Sequence, residues 1–228
     1  QLKYSFIGGL ALTLCLFFFG YRSYRAKQVL RLQSIRNKIS GDLHDDIGST
    51  LNSISIYSEV AKKKDGQHDE ALEMIGEASR KIIDAMSDIV WTINPENDSF
   101  DKIIFRMKSL AYNLFRAKKI EFTFHSDDTL NEKKLSIEER RNFYLIFKEA
   151  VNNLVKHSHA RRVAIALTHE NEYIKLRIQD DGVGFDIAED NPGNGLKNMK
   201  RRADEMKAQF KMESGKGNGT QIELILKA

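Results

Sequence analysis

Glu149 and Asn153, in the run KEAVNNLVKHS, stand four residues apart and share one helix face. A carboxylate beside an amide oxygen suits Mg²⁺, a hard ion that takes oxygen ligands and usually arrives with phosphate. Lys156 and His157, one turn further on, could meet those phosphates, although the same residues also suit an ordinary solvated helix face. DDGVGFD, Asp180 to Asp186, follows at a strand end. There Gly182 and Gly184 would let the backbone turn and approach a ligand, and a carboxylate could accept from an exocyclic amine; a plain turn is the competing reading. NPGNGLKNMKRRA brings Gly193 and Gly195 to a helix N-terminus, where free N–H groups favour anions. GKGNGT, Gly215 to Thr220, precedes the last strand and reads otherwise as a hairpin.

A different kind of residue sits in GDLHDDIGSTLNSIS, Gly41 to Ser55. Leu43, Ile47, Leu51 and Ile54 recur at helical spacing, so the stretch is an amphipathic helix burying one face. His44 lies about 100° around from Leu43, at the edge of that stripe, with Asp45 and Asp46 directly after it.

These residues have to be held by a chain of 228 residues, 41% hydrophobic and 30% charged, which is the composition of a folded protein of one large or two small domains. The single cysteine, Cys15, leaves no disulfide framework and no cysteine-based zinc site. Net charge is +4, but it is unevenly placed. Seven Lys/Arg and no Asp or Glu lie between Gln1 and Gly41, and removing those seven from the 36 leaves 29 basic against 32 acidic residues. That balance argues against direct nucleic-acid binding. YSFIGGLALTLCLFFFGY, Tyr4 to Tyr21, carries no charge and would reach about 27 Å as a helix, enough to cross a bilayer. With Lys3 alone before it and six arginines and lysines after it by residue 38, the positive-inside rule puts Arg22 onward in the cytoplasm. No basic leader precedes it, as a secretory signal would require. Starting at Gln1, the chain is expected to be the C-terminal part of a longer protein.

After the span, residues 22–40 continue as a helix through Val29, Leu32, Ile35 and Ile39. KKKDGQH breaks the pattern, and a second run, Leu72, Ile75, Ser79, Ile82, Met86 and Ile89, ends at Pro95. Two such helices cannot cover both apolar faces alone, so 41–95 is expected to be a hairpin that dimerises into a four-helix bundle. From Ser99 the pattern is mixed. FDKIIFRMKSLAYNLFRAKK, SIEERRNFYLIFKEAVNNLVKHS and NGLKNMKRRADEM read as helices, the second opened by a capping box from Ser136 to Glu139. IEFTF, RRVAIALTH, YIKLRIQD, QFKMES and TQIELIL read as strands. The class is α+β with a mixed, mostly antiparallel sheet.

The succession E-A-x-x-N-x-x-K-H, D-D-G-x-G-F, G-x-G-L-x-N-M-x-x-R and G-x-G-T resembles the ATP-binding domain of sensor histidine kinases, an α/β sandwich shared with gyrase-like ATPases. It covers 99–228. DLHDDIGSTL resembles the phosphoacceptor box D-L-H-D-x-x-G-Q of one kinase subfamily. The resemblance implies a transmembrane helix at 1–21, a signalling helix at 22–40, a dimerising phosphotransfer hairpin at 41–95 and a catalytic domain at 99–228. It implies that His44 takes the γ-phosphoryl group of ATP, with Asp45 orienting the imidazole and accepting its proton. Asn153 would coordinate Mg²⁺ and Glu149 help organise it, Lys156 and His157 would face the phosphates, and Asp180 would accept from the adenine amine with Thr220 in support. Gly182 and Gly184 would leave room for the base, and Gly193 and Gly195 would belong to a lid. The implied partners are a second copy, a response-regulator receiver domain and the inner membrane of a bacterium. Ser49 departs from the pattern, which has the glutamine used in phosphatase action. A non-catalytic membrane adaptor with a nucleotide-binding scaffold is the alternative.

Overall fold

The structure is a computed structural model, and it describes residues 17–25, 48, 50–62, 68–186 and 194–227. His44, Asp45, Ser49, Gly193, most of the helix expected at 22–40 and most of the expected membrane span lie outside the described residues. The chain divides into two compact units, Gln1–Ile89 and Val90–Ala228.

In the first unit, 17–25 and 50–62 are helical; the latter is α1. The next helix, α2, runs His68–Ile93. Its shielded stripe is Ala71, Ile75, Ala78, Ile82, Ala85 and Ile89, while Leu72 and Met86 are exposed. The expected stripe is thus shifted toward small residues, because alanines fill helical positions that a pattern of large apolar residues passes over. Among the described residues no helix is long and apolar enough to cross a membrane.

The second unit opens with the last turn of α2. Proline stops the helix as expected: Asn94 caps a short 3₁₀ turn, Pro95–Asn97, its side chain accepting from Glu96 N–H at 3.0 Å. Two arginines fasten this segment. Arg140, fully buried, donates to the carbonyl oxygens of Thr92 and Asn97 and pairs with Asp98. The Arg106 guanidinium lies over the rings of Trp91, at 4.5 Å, and Tyr144, at 4.8 Å.

Helix α3, Phe100–Lys118, buries Phe100, Ile103, Ile104, Met107, Ala111 and Phe115, one stripe at steps of three and four. Strand β1, Glu121–Ser126, follows. Helix α4, Ile137–Asn153, begins with the expected capping box, Ser136 and Glu139 each bonding the other's backbone N–H. Strands β2, Arg162–Glu170, and β3, Tyr173–Asp180, form a hairpin; α5 is Asn194–Glu205; β4 is Gln209–Ser214 and β5 Thr220–Lys227. The sheet order is β1-β2-β3-β5-β4, parallel only between β1 and β2, which α4 connects. Val163, Ile165 and Leu167 face the helices from β2, Ile174, Leu176 and Ile178 from β3, and Ile222, Leu224 and Leu226 from β5. Registers Ile178↔Ile222 and Leu176↔Leu224 continue this layer across the sheet. The next inward position of β3 is Asp180, a buried carboxylate at the end of an apolar row.

Candidate functional site

The site is built where α4 ends beside the end of β3. After Asn153 the helix widens into a π-helical turn, Leu154–Ser158, and stops at His159, which is left-handed with φ 52°. The Ser158 carbonyl accepts from Val183 N–H at 2.8 Å, joining the end of the helix to the loop after β3.

In that loop the two aspartates divide the work. Asp181 points outward, and its Oδ1 accepts from the N–H groups of Arg161 and Arg162, both at 2.8 Å. Those bonds hold its carboxyl below the usual carboxylate range and secure the entry to β2. Asp180 points inward, its Oδ1 accepting from Gly182 N–H at 2.8 Å. Burial raises its pKa; the N–H groups of Gly182 and Thr220 oppose the rise, and neighbouring Asp181 adds to it.

Two glycines make this packing possible. A Cβ on Gly182 would lie 2.2 Å from the Ser158 carbonyl oxygen and 2.8 Å from Asp180 Oδ1. Gly219 has φ +70°, and a Cβ there would lie 2.0 Å from the Asp180 carbonyl oxygen. The GKGNGT loop thereby nests against DDGVGFD, with Gly217 N–H donating to Val183 O at 2.7 Å and Phe185 N–H to Ser214 Oγ at 3.0 Å.

These elements enclose a cavity of about 460 Å³, within the range of small-molecule sites. Of the expected residues, Asn153, His157, Asp180, Gly184, Gly195 and Thr220 line it. Lys156 is exposed and is not part of the lining; Gly182 is buried behind it. Glu149 is not part of the lining either, but the Cβ position of Gly195, which lines the cavity, lies 2.1 Å from Glu149 Oε1 and 3.3 Å from Asn153 Nδ2, so both side chains converge on the start of α5. The walls include Leu154, Ile178, Phe185, Met199, Met212 and Ile222, which single-motif reading overlooks because they are ordinary core types. An apolar slot with one deep carboxylate suits a flat heterocycle bearing an amine.

Among the described residues no group of three or more His, Cys, Asp or Glu is placed to hold a metal ion. Converging carboxylate and amide side chains nevertheless fit Mg²⁺, which keeps several waters and completes its shell with phosphate oxygens rather than an all-protein cage.

A family model described as "Histidine kinase" (HisKA_3) matches residues 36–98, and one described as "Histidine kinase-, DNA gyrase B-, and HSP90-like ATPase" matches 138–228. Among curated proteins, sensor histidine kinase YhcY of Bacillus subtilis is 28% identical over 89% of this chain and 52% of its own length. The signal transduction histidine-protein kinase/phosphatase UhpB of Salmonella typhimurium is 26% identical over 75% and 34%. Sensor protein VraS of Staphylococcus haemolyticus is 26% identical over 85% and 55%. The chain therefore spans about half the length of these relatives, or less. In fold it is similar to the histidine kinase domain of the Erythrobacter litoralis EL346 blue-light activated kinase, with TM-score 0.54, 14% identity and coverage of 82% of this chain and 92% of that one. For Acinetobacter baumannii histidine kinase AdeS the values are 0.52, 16%, 82% and 96%. With the two family segments in tandem and the cavity inside the second unit, the chain belongs to the sensor histidine kinases of two-component systems, in the HisKA_3 subfamily.

Proposed function

We propose that this chain is the catalytic part of a membrane-anchored sensor histidine kinase that phosphorylates its own His44 from ATP and passes the phosphoryl group to an aspartate of a response regulator. The observation that carries the reading is the buried carboxylate of Asp180 in an apolar cavity that Asn153 lines, with Glu149 converging beside Asn153 on Gly195.

The adenine amine donates to Asp180, and the apolar walls exclude water that would compete for that bond. His157, an exposed residue of the cavity lining, and exposed Lys156 face the phosphates, as does the start of α5 with lid glycines Gly193 and Gly195. Asn153, with Glu149, holds Mg²⁺, which when bound neutralises phosphate charge. His44 presents a neutral imidazole nitrogen in line with the γ-phosphorus; an N–P bond forms, the bond to the bridging oxygen breaks, and ADP leaves. Asp45 orients the ring and accepts the proton it loses. Ser49, shorter than glutamine, leaves phosphatase action weak. The chain works as a homodimer through the 41–95 hairpin, at the inner membrane of a bacterium. The exposed phenylalanines 17–19 at the end of the apolar run support the anchor.

Incubation of the full chain with γ-labelled ATP and Mg²⁺, beside a His44→Ala variant, tests this. Acid-labile, base-stable label that the variant lacks is the expected result. ATP binding without any label would instead support the adaptor alternative.

A further inference from the structure

Ser214 closes β4, outside every motif considered above, yet its hydroxyl oxygen has three polar neighbours. Phe185 N–H donates to it at 3.0 Å, Gly219 O lies 3.2 Å away, and Thr220 Oγ1 lies 3.0 Å away. Phe185 and Thr220 both line the cavity, and Thr220 N–H donates to the Asp180 carboxylate. A serine hydroxyl has one proton and two lone pairs. Gly219 O can only accept, so all three contacts are hydrogen bonds in one arrangement alone: Ser214 donates to Gly219 O and accepts from both Phe185 N–H and the Thr220 hydroxyl. Thr220 has then spent its only proton. What it retains for a ligand is acceptor capacity.

From this we infer that Ser214 is a positioning residue for nucleobase selection: by holding the Thr220 proton, it makes the base end of the cavity present two acceptors, Asp180 and Thr220 Oγ1. The inference rests on the ATP reading and deepens it. A 6-aminopurine brings the two N–H bonds of its amine to that end, whereas a 6-oxopurine brings one donor, N1–H, and a carbonyl oxygen left facing an acceptor, and is disfavoured. Without the Ser214 hydroxyl, the Thr220 proton is free to turn toward such an oxygen.

The experiment is calorimetric titration of the full chain with ATP and, separately, inosine triphosphate, both with Mg²⁺. Ser214→Ala is expected to lower the ATP-to-ITP affinity ratio about tenfold, the worth of one hydrogen bond. Ser214→Thr keeps the hydroxyl and the wild-type ratio. Thr220→Val lowers the ratio by itself, and adding Ser214→Ala to it produces no further change, since the two act as one unit. A Ser214→Ala chain that loses affinity for both nucleotides by the same factor would overturn the inference, as would a Thr220→Val chain with an unchanged ratio. Wild-type chain binding neither nucleotide would refute the ATP reading itself, and this inference with it.

Discussion

Gly182→Ala puts the geometry of the site to a direct test. The added carbon would sit 2.2 Å from the Ser158 carbonyl oxygen, while carbon and oxygen ordinarily approach to about 3.3 Å, so the backbone has to move by about 1 Å. Two hydrogen bonds hold that backbone, Gly182 N–H to Asp180 Oδ1 and Val183 N–H to Ser158 O, each 2.8 Å long. Such a shift takes both beyond bonding range. A bond to a charged acceptor is worth about 1.5–3 kcal/mol and a neutral one about 1, so the total cost is about 2–4 kcal/mol. If the loop relaxes when empty, the cost appears as lost ATP affinity, about 30- to 1000-fold. If it does not, the same cost appears in unfolding. ATP titration and urea denaturation of the same sample should therefore add up to that total. Gly76→Ala, on α2 and facing only the Arg80 side chain at 3.4 Å, serves as the control that alanine for glycine is not harmful in itself. Binding within threefold of wild type at unchanged stability would refute the reasoning about Gly182.

Arg140→Ala removes every bond that Arg140 makes to Thr92, Asn97 and Asp98, and because Asp98 is half exposed the loss is about 3 kcal/mol rather than that of a stranded buried charge. Amide exchange should quicken at 92–98 and stay slow at 149–153; equal quickening at both would contradict a local fastening. ATP affinity should decline with falling pH, starting above the ordinary carboxylate value of 3.8, because burial raises the Asp180 pKa and only the ionised form accepts freely from an amine. Folding stability has the opposite sign. A carboxyl with a raised folded pKa contributes most below its unfolded pKa and loses that contribution as pH rises through the folded one. Asp180→Asn should accordingly gain stability at neutral pH while binding ATP poorly, and a loss of stability there would count against the burial argument.

The helices and strands of the second unit were readable from the sequence because local signals agree with the final packing. The Ser136–Glu139 box opens α4, Pro95 closes α2, and alternating apolar residues line β2 and β3. The glycine motifs around Asp180 likewise end up against one another. What escaped reading depends on partners distant in sequence. Nothing in LVKHS distinguishes a π-helical turn from more α-helix, since the widening goes with the bond from Val183 to Ser158. Arg140 reads as one charge among several on an exposed-looking helix, and only the fold brings Thr92, 48 residues away, to it. Lys156, read as a phosphate neighbour, is exposed and outside the cavity lining, a placement that spacing alone does not specify. Ser214 belongs to no motif and acquires its meaning from Phe185, 29 residues earlier.

Trp91 is the only tryptophan in the chain, and it is stacked under the Arg106 guanidinium beside Tyr144 at the exit of α2. An indole's emission responds to a cation held against its ring, so the protein carries its own fluorophore where α2 ends. Any event that draws this segment off Arg106 becomes an optical signal in unlabelled protein, separable in time from the radioactive one.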